Sequence, residues 1–142
     1  MFNDSPLEIA INNDNIEMVK LLLSSDRIDV IHHVYGIDYE YEIPLIYRAV
    51  SNRNIEIIQL FLSYEKVDVN ASYIEKEKEK IVSKETALHY AVHVKDVQIV
   101  RLLLNHDKIN INEVDNQGFN FNLWKKPFDY AKSNEIKKLF NC

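Results

Sequence analysis

The sequence predicts an all-α fold in which similar helix-turn-helix units stack side by side, and three observations carry that expectation. First, an alanine within an apolar segment, a polar break and a second apolar segment recur together. They are anchored on Ala10, Ala49, Ala91 and Ala131, at spacings of 39, 42 and 40 residues. Second, the second segment of each unit, such as Val97-Gln-Ile-Val-Arg-Leu-Leu-Leu104, keeps its polar residues three apart. They share one narrow stripe of a helix, with nearly every other position apolar, as suits a helix covered on both flanks. Third, only 2 Gly and 3 Pro occur in 142 residues, too few for a turn-rich sandwich or barrel.

The length suits one domain over residues 1–142, and a composition of 46% hydrophobic and 27% charged residues is that of a globular chain. The net charge of −5 repels polyanions, so no nucleic-acid partner is expected. No run approaches the roughly 20 apolar residues that cross a bilayer, so no membrane is expected either. Met1-Phe-Asn-Asp lacks the basic and apolar regions of a signal peptide. The lone Cys142 cannot pair within the chain. A cytosolic or nuclear location follows as the expectation.

The units justify their helices in order. Ser5-Pro6-Leu7-Glu8-Ile9-Ala10 opens a helix with a hydroxyl cap and Pro in the first turn, where its missing N–H costs nothing. Asn15 caps Ile16-Glu-Met-Val-Lys-Leu-Leu-Leu23, and Glu17 favours the positive end of the helix dipole. Pro44-Leu-Ile-Tyr-Arg-Ala49 and Ile55-Glu-Ile-Ile-Gln-Leu-Phe-Leu62 repeat the pattern with Asn54 as cap. In the third copy Asp96 is the cap, and Leu102 is expected to be sandwiched. Short tails follow the second helices: Arg27-Ile-Asp-Val30, Lys66-Val-Asp-Val-Asn70 and Lys108-Ile-Asn-Ile-Asn112. Position 31 is Ile where the other tails have Asn, so the first connection is expected to start differently. The fourth copy, Lys126-Pro-Phe-Asp-Tyr-Ala131 with Glu135-Ile-Lys-Lys-Leu-Phe140, is shorter. Its Lys137 and Lys138 suit a solvated outer face.

Thr86-Ala-Leu-His-Tyr-Ala91 differs at one position, Ala87 for Pro, from the Thr-Pro-Leu-His-x-Ala signature, and the chain resembles an ankyrin repeat protein. The resemblance implies an α-solenoid with repeats at about 4–31, 43–70, 85–112 and 126–141. Hairpin-like finger loops would lie between them at 31–43, 71–85 and 113–125. Asn or Asp stands where such repeats commonly carry a Gly-His turn. The resemblance also implies a task, binding a protein partner through the concave face, and it implies that His89 hydrogen-bonds within and between repeats. A self-association scaffold, or a regulatory fragment of a larger ankyrin protein, is the alternative. A monomer is expected, with a homodimer as the other possibility, and the identity of the partner is not encoded.

An ankyrin unit is about 33 residues long, so each spacing here carries six to nine extra residues in its finger. The fingers hold Tyr35, Tyr39, Tyr41, Tyr73, Phe119, Phe121 and Trp124, nearly half of the aromatics. Tyr and Trp bring large contact area at low entropy cost. Tyr39, Tyr41 and Tyr73 are therefore the leading contact residues. Arg48, Ser51, Asn52, Tyr90, His93 and Val94 join them if the family's concave geometry carries over. Phe119, Phe121 and Trp124 are expected to pack the last finger onto the terminal helices. Glu75-Lys-Glu-Lys-Glu-Lys80 reads as a solvated tip or a short charged helix.

Catalytic and cofactor chemistry finds no anchor. Gly36 and Gly118 stand alone, which leaves no phosphate cradle. His89 and His93 have metal-ligand spacing but no third ligand, and His32-His33 are expected in a solvent-exposed loop. No metal, no cofactor and no enzymatic activity are expected.

Overall fold

A computed structural model describes residues 4–117 and 125–141. Gly118, Phe119, Phe121, Trp124 and Cys142 lie outside the described residues. The helices form where the caps place them. Helix α1 (Pro6–Asn12) starts at Ser5, whose hydroxyl accepts the Glu8 N–H. Helix α2 (Ile16–Leu23) starts at Asn15, which accepts from Met18 N–H. Two further helix pairs follow: α3 (Leu45–Ser51) with α4 (Ile55–Ser63), and α5 (Ala87–His93) with α6 (Val97–Leu104). Asn54 and Asp96 cap the second member of each pair. The residue before each of these caps is left-handed: Asp14 at φ 53°, Arg53 at 57° and Lys95 at 60°. A left-handed residue followed by a side-chain cap reverses the chain without glycine. In the fourth unit a 3-10 turn at Pro127–Tyr130 replaces the first helix, and α7 (Asn134–Leu139) is capped by Ser133.

Packing follows the stripe pattern. Glu17, Lys20, Glu56, Gln59, Gln98 and Arg101 are all exposed, while Ala10, Ala49 and Ala91 are buried in the core and keep neighbouring helices close. The third residue of each second helix meets the preceding unit: Ile57, Ile99 and Ile136 are at most 1% exposed. Met18, at that position in the first unit, has no preceding layer among the described residues and is 42% exposed. On α6 the side chain facing the core is Leu103, at 0% exposure, and Leu102 is only half-buried. The sandwiched position is thus one residue later than the sequence suggests.

The all-α expectation is corrected by a five-stranded antiparallel sheet in the order β1-β2-β3-β4-β5. Strands β1 (Ile31–Tyr35) and β2 (Tyr39–Pro44) form the first hairpin, and β3 (Ser72–Glu77) and β4 (Lys80–Thr86) the second. The two-residue β5 (Asn116–Gln117) pairs with β4. Because the fingers are long, adjacent hairpins also pair with each other, Tyr39 to Glu42 against Ile74 to Glu77. Ile31 enters β1 directly, which is how the first finger differs from the Asn-started ones. The turns need few glycines, since Lys78 and Glu79 are both left-handed, at φ 46° and 67°, as a two-residue hairpin turn requires.

Glu75–Lys80 is therefore strand, turn and strand rather than a charged helix. Alternation sends Lys76 to the outer face of the sheet, where its Nζ reaches Glu42 at 2.6 Å and Glu40 at 3.4 Å on the neighbouring finger. Lys84 likewise meets Glu113 at 3.2 Å. The tip at Lys78 and Glu79 is solvated.

Polar bonds tie corresponding segments of successive units. Asn52 donates to Asn12 at 3.1 Å, and Lys66 meets Asp26 at 2.6 Å. Arg53 meets Asp96 at 2.9 Å, and Asn110 N–H donates to Asn70 at 2.7 Å. Two stability changes follow from this packing. Leu103→Ala should cost about 2–5 kcal/mol in urea unfolding, and Leu102→Ala less than half as much. Lys95→Gly should stabilise by about 0.5–1 kcal/mol, since it relieves a left-handed residue at some entropic cost. A loss with Lys95→Gly would show that its side chain contributes more than the backbone strain costs.

Candidate functional site

The inner face of the sheet and the first helices enclose a cleft of about 470 Å3, lined by Asp4, Glu8, His32, Val34, Tyr39, Tyr41, Ile43, Arg48 and Tyr73. One lining residue, Glu8, holds a position that recurs in the repeat, two residues before the anchoring alanine. Glu8, Tyr47 and His89 occupy it in the first three units, and each reaches the finger that follows its unit. The Glu8 carboxylate lies 2.6 Å from His32 Nδ1 and 3.0 Å from Arg48 Nη2. The Tyr47 hydroxyl donates to Glu85. His89 Nδ1 accepts from Thr86 N–H at 3.3 Å and faces Thr86 Oγ1 at 2.7 Å, and Nε2 donates to the Lys125 carbonyl at 3.0 Å. The last bond is the role implied for His89, within and between repeats. Both of its ring nitrogens are thereby occupied.

Strand alternation decides what faces the cleft. Tyr39, Tyr41 and Ile43 share one face of β2, and Val34 and His32 stand opposite Tyr41 and Ile43. Gly36 permits this arrangement, because a Cβ there would collide with the Tyr39 ring. Glu77 and Glu75 pair directly with Tyr39 and Tyr41, and Tyr73 with Glu85. The rings form a continuous ladder. Centroids are 5.3 Å apart for Tyr39–Tyr41, 6.3 Å for Tyr41–Tyr73, 5.2 Å for Tyr73–Tyr47 and 5.4 Å for Tyr47–Tyr90. Offset and edge contacts of this kind are favourable beyond the area they bury.

Burial pushes the phenols up, and neighbouring carboxylates add to the effect. Tyr47 is raised by desolvation and by its bond to Glu85. Tyr73 is pushed up to about 12 by desolvation and then by Glu75. Tyr41 is raised by the same two causes.

The sequence-predicted residues divide into two groups. Tyr39, Tyr41, Tyr73 and Arg48 meet in the cleft, and Tyr90 joins through Tyr47. Ser51, Asn52, His93 and Val94 sit at the ends of α3 and α5, outside the cleft lining, and His93 packs against Tyr130 with centroids 5.8 Å apart. His32 is not exposed as expected but only 8% accessible, because strand alternation turns it onto Glu8. Glu8, Tyr47 and Glu85 were missed, although the first two stand at the His position of the repeat signature. Asp115 was also missed. It is fully buried, accepts from Tyr130 and from Lys125 N–H, and closes the base of the third finger.

Two groups of possible metal ligands, Asp4-Glu8-His32 and His33-Glu40-Glu42, occur among the described residues. Arg48 already pairs with Glu8 in the first group, and Lys76 with Glu40 and Glu42 in the second.

A neutral phenol held above its ordinary value near 10 binds its proton more tightly in the folded state. Stability tied to Tyr73 is therefore fully present below about pH 10 and is lost as pH rises towards 12. In urea titrations across this range Tyr73→Phe should show a shallower alkaline loss than wild type, and an equal slope would contradict the assignment.

A family profile described as ankyrin repeats in three copies matches residues 46–123, and one described as a single ankyrin repeat matches residues 2–33. Comparison with curated proteins finds no sequence match. The first profile alone covers more than half of the chain, and its range takes in the helix pairs α3–α4 and α5–α6 and the β3–β4 hairpin between them. The chain belongs to the ankyrin-repeat family.

Proposed function

We propose that this protein is a non-catalytic binding module that grips a protein partner with the inner face of its finger sheet. Ankyrin repeats generally mediate protein–protein interaction, and that general role is common to the family. The observation that carries the finer reading is the tyrosine ladder beside the 470 Å3 cleft. Tyr39 remains 43% exposed, a large ring held in place by its neighbours before any partner arrives. Aromatic side chains fixed in this way lose little entropy on binding. Ser51, Asn52, His93 and Val94 extend the surface along the helix ends.

Catalysis has no support in the groups that face the cleft. Glu8 is committed to Arg48 and His32, and away from the cleft both nitrogens of His89 are bonded. Among the described residues no helix is long and apolar enough to cross a membrane. We place the protein in the cytosol or nucleus on its single cysteine, Cys142, which has no partner within the chain for a disulfide.

The test is cross-linking and affinity capture from the source cell, comparing wild type with a Tyr39→Ala, Tyr41→Ala, Tyr73→Ala variant of unchanged circular dichroism. Partner recovery should fall at least tenfold, as expected when hot-spot aromatics are truncated. Equal recovery would remove the finger face from the binding surface.

A further inference from the structure

The charges of the finger sheet are sorted by face. On β3 and β4 the lysines that face outward, Lys76 and Lys84, are all engaged by Glu40, Glu42 and Glu113. The carboxylates that face inward, Glu75, Glu77 and Glu85, stand among the tyrosines, opposite Tyr41, Tyr39 and Tyr73. Among the described residues neither Glu75, Glu77 nor Asp4 forms an ion pair with a lysine or arginine. The guanidinium in the cleft, Arg48, is held by Glu8. Lys80, across from Glu77 at the tip, is the lysine of β3 and β4 on this side, so the inner face is acidic on balance as well as aromatic, within a chain whose net charge is −5.

We propose that the partner segment received by this face is basic, an extended stretch of chain carrying lysine or arginine. Carboxylates supply the charge complement, and the ring faces of Tyr39 and Tyr41 supply the quadrupole that attracts a cation laid over an aromatic ring. Glu77 is exposed beside Tyr39, its register partner, and Asp4 is exposed in the lining of the cleft, so both carboxylates are open to an incoming cation. An acidic segment would face the same carboxylates, with the engaged Arg48 and, across from Glu77 at the finger tip, Lys80 as the cations to meet it, and like-charge juxtaposition is unfavourable. This inference rests on the inner face being the binding surface and adds the chemistry of what binds there.

The experiment is fluorescence anisotropy with the intact chain and two labelled peptides. One alternates Arg and Ser, and the other has Glu in place of Arg. The Arg peptide should bind at least tenfold more tightly than the Glu peptide, and its affinity should fall severalfold as salt is raised. A Glu75→Gln, Glu77→Gln variant should reduce Arg-peptide binding about tenfold without changing the circular dichroism. Should that variant fold poorly, Asp4→Asn with Glu77→Gln, both at exposed positions, makes the same comparison. Equal binding of the two peptides, no binding of either, or indifference to the carboxylate substitutions would overturn the proposal. Loss of natural partner recovery in the triple tyrosine variant, together with no charge preference, would leave the binding surface in place and remove only its basic specificity.

Discussion

The structure depends on one recurring contact, the polar side chain two residues before the anchoring alanine that reaches out of the helix layer to the next finger. Glu8, Tyr47 and His89 differ in chemistry, yet each spans from an inner helix to finger backbone or side chain. A long finger with no such tie would be an isolated hairpin, and two-stranded hairpins are marginal in water. Tied at its base and paired with its neighbour, each finger becomes part of one sheet. The helices bury the apolar surface, and the ties carry that order out into the sheet.

The sheet in turn determines what surface the protein offers. Period-two alternation sorts Glu75-Lys-Glu-Lys78 into carboxylates on one side and a paired lysine on the other. The same alternation gathers Tyr39, Tyr41 and Tyr73, drawn from different fingers, into one ladder. In repeat proteins each unit contacts only its neighbours. Here neighbours meet in both layers, through bonds 40 residues apart between the helical units and 34 and 36 residues apart between the fingers.

The helices were legible because caps and apolar stripes are local. Ser5, Asn15, Asn54 and Asp96 cap the helices they were expected to cap. The sheet was not legible for a physical reason. Glu75 to Lys80 has the composition of a solvated helix, and only Lys76 reaching Glu40 and Glu42, more than thirty residues away, shows why a strand wins. The scarcity of glycine misled in the same way, since Lys78 and Glu79 accept the left-handed turn. The aromatic half of the candidate site came from counting tyrosines in the fingers. Its floor did not, because Glu8 and His32 read as a helix-surface acid and a loop histidine until the strand register brings them together. One clue was available: Glu8 and Tyr47 occupy the His position of the signature, where a polar side chain has an inter-repeat task.

The central claim, that helices and finger sheet form one cooperative unit through these ties, is tested most directly by native-state amide hydrogen exchange. The account predicts that amides of Tyr41, Ile74 and Lys84 in the sheet open with the same free energy as those of Val50 and Val92 in the buried helices. It further predicts that Glu8→Ala lowers protection in β1 and β2 along with α1. Sheet amides that exchange through openings far below the global unfolding free energy, while the helices stay protected, would contradict it.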